Sequence, residues 1–377
     1  MSLRKRLLKS LYVHVPFCRK KCPYCDFYSV EDFSFVSEYE KALLSEFSLR
    51  NPEFTQFPTV YFGGGTPSTL KPNFFSSILS RIGQFSEVTV ELNPEDVNLC
   101  YLRNLKELGV NRISLGIQSF SDNVLKKLGR RQKSIDNLRA LELVFKVFSN
   151  VSIDIIYGAP EQTISDLEKD LSIALSFPIK HISLYALTVY EETPFYKLMK
   201  EGKLKLPGEE KLSDMYYFIE EFLTNQGFKH YEISNFALSG FESKHNINYW
   251  YLENYLGIGV SAGSYVNRKY WKNTSNLKDY INATLHRKEL PEKEEIVYSE
   301  KEEKELKLIM GLRLVEGINL ERIQLLDSFK KAIEKSNKIR ILIEEEFLIF
   351  KEPILKLGKK GLFTSNAVIS EVISEIF

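Results

Sequence analysis

The sequence predicts an α/β fold: a parallel sheet of six strands layered with helices, followed by a smaller, α-rich, winged-helix-like unit. Three observations lead there. Apolar or β-branched runs recur at residues 11–15, 59–62, 88–92, 112–117, 151–156 and 181–188, each short enough for a strand. Stretches with apolar residues three or four apart lie between them, and that alternation implies right-handed crossovers and a parallel sheet. The residues best suited to ligands follow the first three runs: Cys18 to Cys25, then Gly63-Gly64-Gly65-Thr66-Pro67, then Glu91-Leu92-Asn93-Pro94. Open and barrel-like parallel sheets bind ligands at the carboxyl ends of their strands.

Along the chain, Val36, Tyr39, Leu43 and Phe47 step as one helix face, and Ile135, Leu138, Leu141, Phe145 and Phe148 as another. Past about residue 205 the pattern changes. A helix over residues 208–225 leads to residues 230–236 and a turn at Gly257-Ile258-Gly259. The charged stretch 287–304 reads as a linker or a solvated helix start. Leu306, Ile309 and Met310, followed by Gly317, read as a short amphipathic helix and its stop. Residues 347–350 and 354–357 form a terminal hairpin pattern.

With 377 residues, 44% hydrophobic and 27% charged, the chain has the composition of a globular protein with a sizeable core. A net charge of +1 gives no support for nucleic acid or a membrane surface as a partner recruited by bulk charge. The 26 Phe and 20 Tyr suit flat ligands, though filling the core accounts for most of them. The start, Met1-Ser2-Leu3-Arg4-Lys5-Arg6-Leu7-Leu8, has a basic flank, but Lys9 interrupts the apolar run and no cleavage site follows. No stretch approaches a membrane span, and the expected location is cytoplasmic.

Four cysteines make no disulfide framework; three of them lie within eight residues. Thiolates suit iron–sulfur clusters or zinc, but structural zinc wants four ligands. Cys100 sits in a helical pattern over residues 97–108 and reads as a small buried hydrophobe. His14, on a strand, reads as packed or hydrogen-bonded. The spacing Cys18-x3-Cys22-x2-Cys25 directly after the first strand therefore points to a cluster. Arg19, Lys20 and Lys21 read as a solvated face rather than counter-charge to it.

This loop resembles that of the radical S-adenosylmethionine (radical SAM) proteins. The resemblance implies a partial (β/α)6 TIM-like barrel and a [4Fe–4S] cluster on Cys18, Cys22 and Cys25. It also implies that SAM chelates the fourth iron, where its cleavage can yield a hydrogen-abstracting radical. Longer stretches resemble the oxygen-independent coproporphyrinogen III oxidase branch: Leu11 to Cys18, Gly63 to Pro67, Glu91 to Pro94, Arg112 to Phe120, Leu128 to Arg130, Asp154 to Gly158 and His181 to Thr188. By position, the resemblance assigns Tyr12 and Tyr24 as aromatic neighbours of SAM, and Gly64, Gly65 and Thr66 as its amino-group loop. Glu91, Gln118, Arg130, Asp154 and Ala186 complete that implied SAM site.

Within the branch, Phe27 stands where the oxidases carry a further cysteine. His245-Asn246-Ile247-Asn248-Tyr249-Trp250 matches the H-N-x-x-Y-W motif of the HemW-type heme chaperones. That resemblance implies heme binding by His245, with Tyr249 and Trp250 flanking the porphyrin. Two departures accompany it: Gly257 to Ser264 reads with Ser261 and Gly263 where relatives carry glycine and histidine, and Gln132 stands where many carry histidine. The expected organisation is a radical SAM core at residues 1–235, a connecting segment at 236–300 and a helical domain at 301–377 capping the cluster side. The expected function is a heme chaperone that binds heme, the cluster and SAM, and passes heme to an acceptor such as a respiratory enzyme. A flavodoxin or ferredoxin would serve as electron donor. The alternative is a coproporphyrinogen III dehydrogenase acting on propionate side chains.

Overall fold

The computed structural model describes residues 8–50, 57–83 and 85–377. Most of the amino-terminal basic segment therefore lies outside the described residues. One sheet of twelve strands organises the chain: β1 (Ser10–Val15), β2 (Thr59–Gly64), β3 (Glu87–Leu92), β4 (Arg112–Gln118), β5 (Val151–Tyr157), β6 (His181–Ala186), β7 (Lys229–Glu232), β8 (Asn235–Ala237), β9 (Tyr255–Ile258), β10 (Gly263–Val266), β11 (Lys269–Asn273) and β12 (Glu292–Val297). Their order is β12-β11-β10-β9-β1-β2-β3-β4-β5-β6-β8-β7. From β9 through β1 to β6 the pairs are parallel; the flanks on both sides are antiparallel. The six expected strands are all present, and helices cross between them as a partial (β/α)6 barrel requires.

The period of two along each strand sorts the two faces. Leu11, Val13 and Val15, Val60 and Phe62, Val88 and Val90, Ile113 and Leu115, Ile153 and Ile155, and Ile182 and Leu184 are buried in one continuous apolar core. The alternate positions are polar: Ser10 and His14, Thr59, Glu87 and Thr89, Arg112 and Ser114, Ser152, His181 and Ser183, all buried. They make the inner face of the barrel a polar surface. The helix Val36–Leu49 presents Tyr39, Ala42 and Leu43 to the core as its spacing predicts.

Residues 236–300, expected to connect, instead extend the sheet: β9 pairs in parallel with β1, and β10 to β12 continue outward. The charged stretch divides between β12 and the helix Glu300–Gly311, whose amino end is closed by a capping box of Ser299 and Glu302. Charge on β12 suits a strand with one unpaired edge. Two smaller expectations are corrected. Ile135 is exposed, because the helix Ser134–Val144 turns Asn137 inward to hydrogen-bond the carbonyls of Ile117 and Ser119. Cys100 is exposed rather than buried, because the helix Leu99–Glu107 buries Leu102 and Leu105 and leaves Cys100 out of phase.

The carboxy-terminal unit has the helices Leu326–Lys335 and Asn337–Glu344, the hairpin Leu348–Lys351 and Ile354–Leu357, and a short strand, Ile318–Asn319, in the order of a winged helix. It does not cap the cysteines. It packs on the far side, with Phe363 against Tyr216, Arg313 over Trp250, and Tyr251 donating to Glu316.

A buried carboxylate fastens the sheet extension. Glu46 Oε1 accepts from Arg50 Nη2 and Asn273 Nδ2, each at 2.8 Å, while Oε2 accepts from Gly259 N at 2.8 Å and Tyr280 Oη at 2.6 Å. Arg50 also donates to Glu292 on β12. Removing the acid leaves Arg50 with Glu292 as its one carboxylate and takes the partner from three further buried donors, which costs about 3–5 kcal/mol. Glu46→Ala is therefore expected to lower the unfolding free energy by about that amount in urea denaturation; a loss below about 1 kcal/mol would mean that the knot is dispensable.

Candidate functional site

The site is built where β1 and β2 end. Gly65 N donates to Val15 O at 2.7 Å and Thr66 N to Phe17 O at 2.8 Å, so the glycine loop lies directly against the chain entering the cysteines. A Cβ on Gly65 would stand 2.7 Å from Val15 O, and one on Gly64, whose φ is +107°, would stand 2.5 Å from the His14 ring. Only glycine permits this approach. The cysteine loop is closed at its base by Cys18 N donating to Val30 O and Val30 N to Pro16 O. A turn joins Cys25 N to Cys22 O at 3.1 Å, and Phe195 N holds Pro23 O from outside.

Two side chains reach the sulfurs. Thr66 Oγ1 donates to Cys18 Sγ at 3.4 Å, and Arg130 Nη1 to Cys22 Sγ at 3.3 Å. Arg130 is itself fixed by Gln132 Oε1 and Asn93 Oδ1. Gln132 donates in turn to Gly116 O, Ile117 O and Asn137. Gln132, with Asn93, thus aims Arg130. Burial pushes the Cys18 and Cys25 thiols up, so their ionisation needs compensation by metal. Among the described residues no three His, Cys, Asp or Glu converge on a single ion. Three soft thiols on one loop, with a guanidinium alongside, fit the wider footprint of an iron–sulfur cluster.

Beneath the cysteines a cavity of about 510 Å³ follows the barrel interior. Tyr24, Gly64, Gly65, Thr66, Glu91, Gln118, Arg130, Asp154 and Ala186, all assigned from the sequence, line it together with Cys18, Cys22 and Cys25. Tyr12 is the exception: its ring stacks on Tyr61 and its hydroxyl meets His14 Nδ1 at 3.1 Å. Gln118 has φ +65°, a strained conformation for a side-chain-bearing residue and typical of functional sites. Glu91 accepts from Tyr61 Oη at 2.7 Å; burial pushes its carboxyl up to about 7. Burial also raises Asp154, which Ser114 and Ser183 hydrogen-bond. Two acids, Glu91 and Asp154, and two guanidinium groups, Arg112 and Arg130, around one cavity match a ligand carrying sulfonium, ammonium and carboxylate groups. The residues present fit the cluster and SAM.

Sequence reasoning missed Tyr61, Arg112, Ser114, Ser183, Tyr185 and Asn246, all in the cavity wall. The signal existed: every second residue of β4 (Arg112, Ser114, Gly116, Gln118) lines the cavity, as the period of a strand requires. Arg112 is 2% exposed, and its Nε has no hydrogen-bond partner.

The H-N-x-x-Y-W segment lies at the other end. It forms the helix Lys244–Trp250, which closes the floor of the barrel. Glu87 at the start of β3 accepts from Lys244 N and His245 N at the helix's amino end, where a carboxylate is stabilised. His245 is 1% exposed; Nδ1 meets Thr59 Oγ1 at 2.9 Å and Nε2 meets Tyr249 Oη at 2.7 Å. Burial holds its pKa down at about 3. Both ring nitrogens are engaged, so ligation of iron by His245 would require this helix to leave its seat. Tyr249 packs edge-on against His245 and Tyr255, and Trp250 lies under Arg313. Of the motif, Asn246 lines the cavity.

A family model described as the radical SAM superfamily matches residues 12–174. The chain is 35% identical to the heme chaperone HemW of Lactococcus lactis, with 97% of both chains covered. It is 33% identical to that of Bacillus subtilis over 98% of this chain and 100% of the relative. In fold it is similar to the coproporphyrinogen III oxidase HemN of Escherichia coli, a radical SAM enzyme, with a TM-score of 0.82, 22% identity, and coverage of 99% of this chain and 90% of that one. With full-length relatives above 30% identity and the cysteine, glycine and acid positions gathered around one cavity, the chain belongs to the radical SAM superfamily and, within it, to the HemW family.

Proposed function

We propose that this protein binds heme and hands it to an acceptor protein, with a [4Fe–4S] cluster and SAM held in its barrel. The observation that carries this reading is the end-to-end match to relatives named as heme chaperones. Phe27, in the position where the oxidases place another cysteine, agrees with it. Cys18, Cys22 and Cys25 hold the cluster; Gly64, Gly65 and Thr66 offer backbone groups to the SAM amine; Glu91 and Asp154 accept from its polar hydrogens; Arg130 faces its carboxylate. When bound, the cluster supplies an iron without a protein ligand and a source of an electron. A flavodoxin or ferredoxin fits as donor, and a respiratory hemoprotein as acceptor. The free thiols suit a reducing compartment such as the cytoplasm. No helix among the described residues is long and apolar enough to cross a membrane.

Hemin titrated into the anaerobically reconstituted protein should shift the Soret band to saturation at a defined stoichiometry. Formation of protoporphyrinogen IX from coproporphyrinogen III and SAM would instead make the protein an oxidase. Alanine at Cys18, Cys22 or Cys25 is expected to abolish the broad iron–sulfur absorbance, while Cys100→Ala keeps it; equal loss at Cys100 would assign that cysteine as a ligand. Glu91 is neutral below about pH 7 and ionised above, and a cationic ligand favours the ionised form. SAM affinity should therefore rise roughly tenfold from pH 6 to pH 8, as the competent fraction rises. Glu91→Gln should flatten that profile, and a slope surviving in the variant would locate the titrating group elsewhere.

A further inference from the structure

Among the described residues, four of the large exposed apolar side chains, Phe27, Tyr190, Leu198 and Met199, gather around the mouth of the cluster cavity. Phe27 is 65% exposed and Tyr190 48%, and both line the opening of the cluster cavity, whereas Tyr185 on β6 faces its interior beside Asp154. Leu198 and Met199 are exposed on the neighbouring helix Pro194–Lys200, which is tied to the cysteine loop through Phe195 N and Pro23 O. Single exposed hydrophobes are ordinary, whereas a group around one opening marks a binding surface. Phe27 follows the last cysteine by two residues, on a loop braced at both ends, so its exposure is built in rather than a consequence of a loose terminus. Two cations share the rim: Lys20 and Lys21 line the same opening, and neither ammonium has an ion pair among the described residues, whereas Arg19 is taken by Asp96. Asp26 lies beside them, and the Glu31 carboxylate accepts from the Lys21 backbone N at 2.8 Å.

A flat apolar ligand with carboxylates at one edge matches this surface: ring faces for the disc, ammonium groups for the acids. We propose that the heme cargo seats across this mouth, its face against Phe27 and Tyr190 and its propionates toward Lys20 and Lys21, rather than on His245. The proposal rests on the heme-binding reading and gives it a location. The alternative seat is unfavourable: His245 lies at the opposite end of β2, about 17 Å of strand away. Opening it would unpair Thr59, Tyr249 and the Glu87 cap in a buried floor. The cavity below is matched to SAM and the cluster, so the disc lies on the rim. Held by its face and its acids, a porphyrin binds there whether or not it carries iron.

The test titrates hemin and metal-free protoporphyrin IX into four proteins: the native chain, Phe27→Ala with Tyr190→Ala, Lys20→Glu with Lys21→Glu, and His245→Gln, which keeps a hydrogen-bonding side chain in the floor. Both porphyrins should bind the native chain within about threefold of each other. Each rim variant should weaken both by about tenfold or more, and the lysine pair should lose most of its effect at high salt. His245→Gln should stay within about twofold of the native chain. Hemin binding that survives the rim variants, or that falls in His245→Gln while protoporphyrin IX fails to bind, overturns the location. A native chain that binds neither porphyrin overturns the heme reading itself.

Discussion

The contact between the ends of β1 and β2 is where two kinds of chemistry meet. Gly65 lies against Val15 and Phe17 with its backbone in hydrogen-bond range, and Thr66 then reaches the Cys18 sulfur. Were the loop to carry side chains at Gly64 or Gly65, the strands would be forced apart by the His14 ring and the Val15 carbonyl. The glycine loop would then no longer share a wall with the cysteines. Everything downstream in the site, from Glu91 to Asp154, is set by register relative to these two strands.

The barrel interior is polar, and that choice constrains the rest of the fold. Polar groups taken from water must find partners or face a ligand. At the floor they find partners: Thr59 with His245, Ser152 with His181, His181 with Tyr231, and Glu87 with a helix end. Toward the mouth, Glu91, Asp154, Gln118 and Arg130 surround a cavity instead. The molecule thus divides into a lower layer whose histidines and Glu87 are hydrogen-bonded within the protein and an upper layer that is complementary to a charged ligand. The helix Lys244–Trp250 belongs to the lower layer, which accounts for its histidine and tyrosine without recourse to a ligand.

Much of the fold was legible because it rests on local periodicity. Six strand runs, the helices between them and the terminal hairpin follow from spacing that the chain carries within a few residues. Charge and phase misled in particular places. The acidic run at β12 reads as solvated because an edge strand with one exposed side has the composition of a linker. Asn137 and Glu46 sit on helix faces that pattern alone assigns to solvent, yet both are buried because distant carbonyls and donors meet them there.

The sequence by itself singled out the three cysteines and most of the residues that line the cavity, because they lie in short motifs at strand ends. It also determined the family, through stretches spread over the first two hundred residues and the motif at His245 to Trp250. Only the tertiary structure decided where the later motif lies. His245 is 186 residues from Thr59 in the chain and hydrogen-bonded to it in the fold. No periodicity encodes a pairing of that separation; it arises from closing the sheet with β9 beside β1. For the same reason, only the structure reveals that Phe27, Tyr190, Lys20 and Lys21 share one rim.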